Sequence, residues 1–265
     1  MIPVVVKEGT SPIVLAFPHG GIEVPKDVWP GLSENGSRLA DTDWHIHQLY
    51  DGLLESATTV QATFHRYVID ANRDPGGASL YPGQNTTGLC PSTDFDGKEI
   101  WNEGRIPDEQ EIETRRLGYH KPYHNALAVQ IERVKALHGC AILYDCHSIR
   151  SRIPFLFDGV LPDFNIGTND RSSCAAAIET SVVKDCAAAS YFSHVLNGRF
   201  KGGWTTRHYA NPDQDIHAVQ MELALSAYAS EDDPWDYDAA RAGKLRPVLK
   251  TILTNLEALA LGSLV

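Results

Sequence analysis

Apolar residues gather into three short, nearly continuous runs, each stopping in a cluster of polar side chains. PIVLAF (12–17), RYVIDANRD (66–74) and CAILYDCHS (140–148) have the length and content of strands covered on both faces. A fourth segment, DIHAVQMELAL (215–225), alternates: Val219, Met221, Leu223 and Leu225 fall on one face, Gln220 and Glu222 on the other beside Ala218 and Ala224. Between the runs the pattern turns helical. DTDWHIHQLYDGLLESA (41–57) sets Trp44, Leu49, Leu53 and Leu54 along one side. PDEQEIETRRLGYH (107–120) opens with Pro and acids, which suit a helix N-terminus, and Pro122 is expected to kink or restart the helix that follows. Later helices are predicted over 172–189 and 239–262, the second broken near Pro247. This alternation predicts an α/β fold, a mixed, largely parallel sheet flanked by helices. With no linker and no fixed-period repeat, residues 1–265 read as one domain.

Ligands of such sheets bind beyond the carboxyl ends of the strands. Here those ends read PHGG (18–21), DANRD (70–74) and DCHS (145–148), which directs His19, Asn72, Arg73, Asp145 and His147 to one surface. One polar strand end is ordinary solvent exposure; three, bearing two imidazoles and a guanidinium, predict a site. Glu222 adds a carboxylate to an otherwise apolar strand, a costly placement unless it meets a cation, a metal or a donor. It is the candidate base.

Composition narrows the class. A formal charge of −11 argues against nucleic acid, whose binding relies on clustered Lys and Arg, but leaves room for a small anionic substrate in a locally positive pocket. No stretch reaches the roughly 18–20 apolar residues that span a bilayer, so no membrane role is expected. The N-terminus lacks the features of a signal peptide. Five cysteines without C-x-x-C spacing suit reduced thiols, hence a cytoplasmic setting. No oligomeric state is specified.

His19 and His147 suggest a metal, since neutral imidazole is the usual ligand and a catalytic zinc keeps three protein ligands and an open position. Asp43 is the first choice for the third ligand and Glu23 the second; Asp41 would cap the helix or orient a ligand. A rival pair, His120 and His124, has the helical i, i+4 spacing that can bind zinc, with Pro122 between. His45 and His47, two apart, point different ways and read as surface or packing residues. There is no G-x-S-x-G elbow, and Cys146 and His147, as strand neighbours, face opposite sides, which disfavours thiol chemistry.

PHGGIEVP (18–25), DTDWHIHQLYD (41–51), RYVIDANRDP (66–75), LYPGQNTTGLCP (80–91), YHKPYH (119–124), DCHSIRS (145–151), LPDFNIGT (161–168), NGRFKGGWTTRHY (197–209) and HAVQMEL (217–223) occur in order over nearly the whole chain. Together they resemble the motifs of N-formylglutamate amidohydrolases, the deformylases of histidine breakdown. The resemblance implies a phosphorylase/hydrolase-like, zinc-carboxypeptidase-like core and metal-dependent cleavage of N-formyl-L-glutamate to formate and L-glutamate. It implies His19 and His147 as metal ligands, Glu222 as base, and Asn72 with Arg73 as the grip on a substrate carboxylate. Related enzymes open with H-x-x-E, whereas position 22 here is Ile, which keeps Asp43 and Glu23 both open. A second substrate carboxylate calls for a second cation: Arg150 first, then Arg199 and Arg207. Thr86 and Thr87 are candidate donors. The alternatives are a metal-dependent deacylase of another N-acyl amino acid or small peptide, and a non-enzymatic metal-bearing or amino-acid-binding protein.

Overall fold

The computed structural model describes residues 1–78 and 85–262, so residues 80–84 of the LYPGQNTTGLCP motif lie outside the described residues. Seven strands, β1 (Val4–Lys7), β2 (Ile13–Phe17), β3 (Thr58–Ala62), β4 (Ala141–Ile149), β5 (Phe164–Gly167), β6 (His194–Leu196) and β7 (Ile216–Ala224), form one sheet in the order β1-β3-β2-β4-β7-β5-β6. β1 runs antiparallel to β3 and β5 antiparallel to β7; the other pairings are parallel. The helices are α1 (Glu34–Ser37), α2 (Ile46–Tyr50), α3 (Glu109–Arg115), α4 (Lys121–His138), α5 (Ala176–Ala188), α6 (Trp204–Tyr209) and α7 (Ala239–Gly262). The expected mixed, largely parallel sheet with flanking helices is what forms.

Strand parity divides the core into two. Ile13, Leu15 and Phe17 of β2, Tyr144 and Cys146 of β4, and Val219, Met221 and Leu223 of β7 face α2, α5 and α7. Val14, Ala16, Leu143 and Ala218 face the α4 side. Continuing that parity, Asp145 and His147 on β4 and Gln220 and Glu222 on β7 emerge on the α4 side, where the apolar layer gives way to a cavity. Cys146 sits in the opposite core, as strand alternation predicts.

Three predicted elements form differently. Residues 66–74 are not a strand but a chain of turns beyond the end of β3. Their apolar residues Tyr67, Val68 and Ile69 are buried as a strand's would be. β2, the strand they would have to join, is already flanked by β3 and β4 and offers them no open side. The helix expected over 41–57 shrinks to α2, because His45 takes a left-handed φ of 59° and residues 41–45 are needed as a loop. α7 runs unbroken through Pro247. Pro247 and Gly243, the residue whose carbonyl loses its partner, both face solvent, so that carbonyl is not buried without a partner. The apolar stripe of Leu245, Leu249, Ile252, Leu253 and Leu256 continues on the buried side. The interruption before Pro122 is a π-turn, Arg116–His120, that joins α3 to α4 without breaking the rod.

Candidate active site

The end of β2, the 41–45 loop and the middle of β4 converge on three donors. Ligand atoms of His19, Asp43 and His147 all lie within 4.8 Å of one another, and all three residues are buried. Asp43 Oδ2 is 3.3 Å from His147 Nδ1 and 4.0 Å from His19 Nδ1. The Asp43 amide donates to the His19 carbonyl, and Asp43 Oδ2 accepts from the Ser148 amide, which pins the loop between the two strands. His147 lies inside β4, opposite Glu222 in the parallel register, rather than beyond the strand end.

The far nitrogen of each ring lies close to a carboxylate, hydrogen-bonded in the case of His19. His19 Nε2 lies 2.7 Å from Asp70 Oδ1 and His147 Nε2 lies 3.1 Å from Asp145 Oδ1. Such partners fix the ring orientation and raise the basicity of the nitrogen that faces the centre. Asp70 is itself tied to Arg66 at 2.6 Å and accepts the Asn72 amide. Burial works against its charge, but Arg66 and Arg73 hold its carboxyl well below the usual range. Burial lowers the proton affinity of His19. For His147 burial acts the same way, yet Asp145 and Asp43 outweigh it and raise the ring well above an ordinary imidazole. The cluster therefore favours positive charge between His147 and Asp43. Two imidazoles and a carboxylate, each further oriented, fit a divalent metal with room for other ligands.

A cavity of about 300 Å³ opens from this centre. His19, His147, Asn72, Arg73, Thr86, Thr87, Arg199 and Glu222 line it, joined by Arg66, Asn85, Phe95 and Gln220, to which the sequence assigned no role. Glu222 is pushed up to about 7, first by burial, while His147 pulls the other way. Gln220 Nε2 donates to Glu222 Oε2 at 3.0 Å, and the Gly203 amide in turn donates to Gln220 Oε1 at 2.6 Å. Arg73 donates through Nε to the Thr87 carbonyl and through a terminal nitrogen to Thr87 Oγ1, both at 2.9 Å. Arg199 donates to the carbonyls of Leu156 and Asn85. The Arg66 guanidinium lies 4.6 Å over the Phe95 ring.

Several candidates are placed elsewhere. Arg150 is not among the lining residues; one residue past β4, it turns outward to within 3.1 Å of Asp96. Arg207 donates to the Gly202 carbonyl and does not line the cavity. Glu23 is exposed, in a bridge to Phe64. Asp41 caps no helix and touches no ligand; its Oδ2 accepts the Phe95 amide. His120 and His124 are not gathered into a donor cluster, since their Nε2 atoms are spent on the backbone carbonyls of Arg73 and Ala71.

The sequence profile of the N-formylglutamate amidohydrolase family matches residues 11–229. The chain belongs to that family. It is 46% identical over 253 residues to an N-formylglutamate deformylase of Pseudomonas aeruginosa, covering 95% of each chain. It is 44% identical over 252 residues to one of Pseudomonas putida, covering 95% of this chain and 94% of the other. The fold is similar to that of an N-formylglutamate amidohydrolase crystal structure from Ralstonia eutropha, with a TM-score of 0.80, 23% identity, and 97% and 98% of the two chains covered. In this member of the amidohydrolase family, the residues that sequence patterning missed are those acting through another side chain. Asp70 stood inside the quoted DANRD, and Gln220 was already placed beside Glu222 on one strand face. Both signals were present, but neither reveals which atom a side chain grips.

Proposed function

We propose that the protein hydrolyses N-formyl-L-glutamate to formate and L-glutamate, in the cytoplasm and as the last step of a histidine degradation route. A divalent metal, zinc by its donor set, would be held by His19 Nδ1, Asp43 and His147 Nδ1. Such an ion, when bound, supplies Lewis acidity that polarises the formyl carbonyl and acidifies water towards a pKa of roughly 7. The chain's own groups do the rest. Glu222, buried beside His147, accepts the proton of the attacking water and delivers it to the amine as the C–N bond breaks. Its Oε2 is held by Gln220, which leaves Oε1 for that transfer. Arg73, braced by Thr87, binds one carboxylate of the glutamyl group with Asn72 beside it. Arg199, bonded to the Asn85 carbonyl and lining the same cavity, takes the other.

The observation that carries this reading is the opening of one cavity onto three things at once: a two-imidazole, one-carboxylate cluster, a carboxylate of raised proton affinity, and the guanidinium groups of Arg73 and Arg199. The test is formate release from N-formyl-L-glutamate before and after chelation, with zinc or cobalt restored. Chelator-sensitive, metal-restored release is expected. Release that persists in protein shown by elemental analysis to be metal-free would remove the ion from the reaction. Release from N-acetyl-L-glutamate or N-formyl-L-aspartate but not from N-formyl-L-glutamate would favour the broader deacylase reading.

A further inference from the structure

His120, which ends the π-turn, and His124 on α4 are both buried, belong to the YHKPYH motif, and have no part in the chemistry above. Their contacts fall on the 67–73 segment, which carries Asn72 and Arg73 yet joins no sheet. A buried segment without strand partners must satisfy its carbonyls some other way. Arg115 donates to the carbonyl of Val68 at 3.0 Å and reaches that of Tyr67 at 3.5 Å. His124 Nε2 donates to the carbonyl of Ala71 at 2.7 Å and His120 Nε2 to that of Arg73 at 3.0 Å. The two imidazoles thus take the carbonyls on either side of Asn72. Asn72 is then held from its side chain, where Oδ1 accepts the Thr205 amide at 2.8 Å. Trp204 packs across both imidazole rings, with centroids 5.6 Å from His120 and 4.6 Å from His124.

The π-turn explains how one helical rod delivers all three donors. In an uninterrupted α-helix, five residues sweep about 500°, which would leave Arg115 and His120 about 140° apart. One extra residue in the turn, marked by the Lys121 amide bonding back to the Arg116 carbonyl, removes about 100° of that offset. Arg115, His120 and His124 then share a face. We infer that Arg115, His120 and His124, phased by the π-turn at 116–120, act as positioning residues that set Asn72 and Arg73 for substrate-carboxylate binding. Both histidines work as neutral Nε2–H donors and hold no metal. This role rests on the deformylase reading for its kinetic consequence but not for its hydrogen bonds.

The test has two arms. In the first, ¹⁵N NMR of the imidazoles in the wild-type protein should show His120 and His124 as neutral Nε2–H tautomers, unchanged when zinc is added. Nδ1–H tautomers, or a zinc-induced shift of either ring, would overturn the assignment whether or not the protein hydrolyses formylglutamate. In the second, His124→Ala and His120→Ala should each raise KM for N-formyl-L-glutamate and Kd for L-glutamate about tenfold, with kcat within about threefold and metal content unchanged. His124→Gln, which can place an amide N–H near the lost Nε2, should recover most of the loss. Deleting exposed Gly118, which would convert the π-turn to α-helix, should reproduce the KM defect. A lowered Tm with unaltered KM and Kd would make the pair mere packing, and loss of metal would make them ligands. A wild type that releases no formate would sink the deformylase reading, leaving the NMR arm to decide the clamp.

Discussion

At the scale of single residues, the proposed site pairs a side chain assigned to the reaction with another that holds it. Glu222→Gln keeps a polar group of the same size and the Gln220 neighbour but cannot accept a proton. It should retain the metal while kcat falls on the order of 10²–10⁴-fold, the range typical of a lost general base; elemental analysis with steady-state rates checks both halves. Asp41 illustrates a carboxylate whose placement is structural. Burial pushes it up to about 7, even with Arg66 opposing. Its folded pKa exceeds its unfolded one, so the folded state binds the proton more tightly and stability is lost as pH rises between the two values. Asp41→Asn keeps an acceptor for the Phe95 amide and removes that dependence. The variant should therefore gain stability relative to wild type between about pH 4 and about pH 8, measured by urea denaturation. Residue identity was the most legible layer of the sequence: His19, Asp43, Asn72, Arg73, His147 and Glu222 all reach one cavity or its donor cluster. Arg150 does not, because adjacency to a strand residue says nothing about which way the chain turns one step later.

Elements decide how closely those residues approach. The start of α6 is pressed against Asn72 so tightly that a Cβ on Gly203 would lie 2.2 Å from Asn72 Nδ2. Gly203→Ala must therefore push Asn72 or the helix aside, with a loss of about 1–3 kcal/mol of stability and a raised KM. Thermal unfolding and initial rates report the two effects separately. Strands built on continuous pairing were legible, since β2, β4 and β7 fall where the apolar runs predicted. The 66–74 run was not, because burial and β-type composition are shared by any core segment. Only the pairing of β2 on both sides by β3 and β4, a property of the finished topology, tells it from a strand. The 41–57 segment misled for the opposite reason. Its helical spacing is real over Ile46–Tyr50, but the Asp43 loop ahead is held by the His19 carbonyl and the Ser148 amide, both distant in sequence.

For the molecule as a whole, an ion held by residues from three separate segments should act as a staple. At free zinc about 100 times Kd, binding adds about 2.7 kcal/mol to stability. In a chain of this size each kcal/mol moves Tm by about 2–4 °C, so chelation should lower Tm by about 5–10 °C. An unchanged Tm on verified removal of metal would show that Asp43, His19 and His147 are as well satisfied without it. The sheet order adds a consequence for biosynthesis. Among the described residues β7 is the last strand in chain order, yet it lies between β4 and β5 in the finished sheet. His19, Asp43, Asp70, Asp145 and His147 have all left the ribosome before it, whereas Gln220 and Glu222 arrive with it. A nascent chain halted short of residue 216 carries every proposed donor for the ion and no base to use it. β7, which bridges β4 to β5, is thus also the strand that brings the proposed base to the proposed donors.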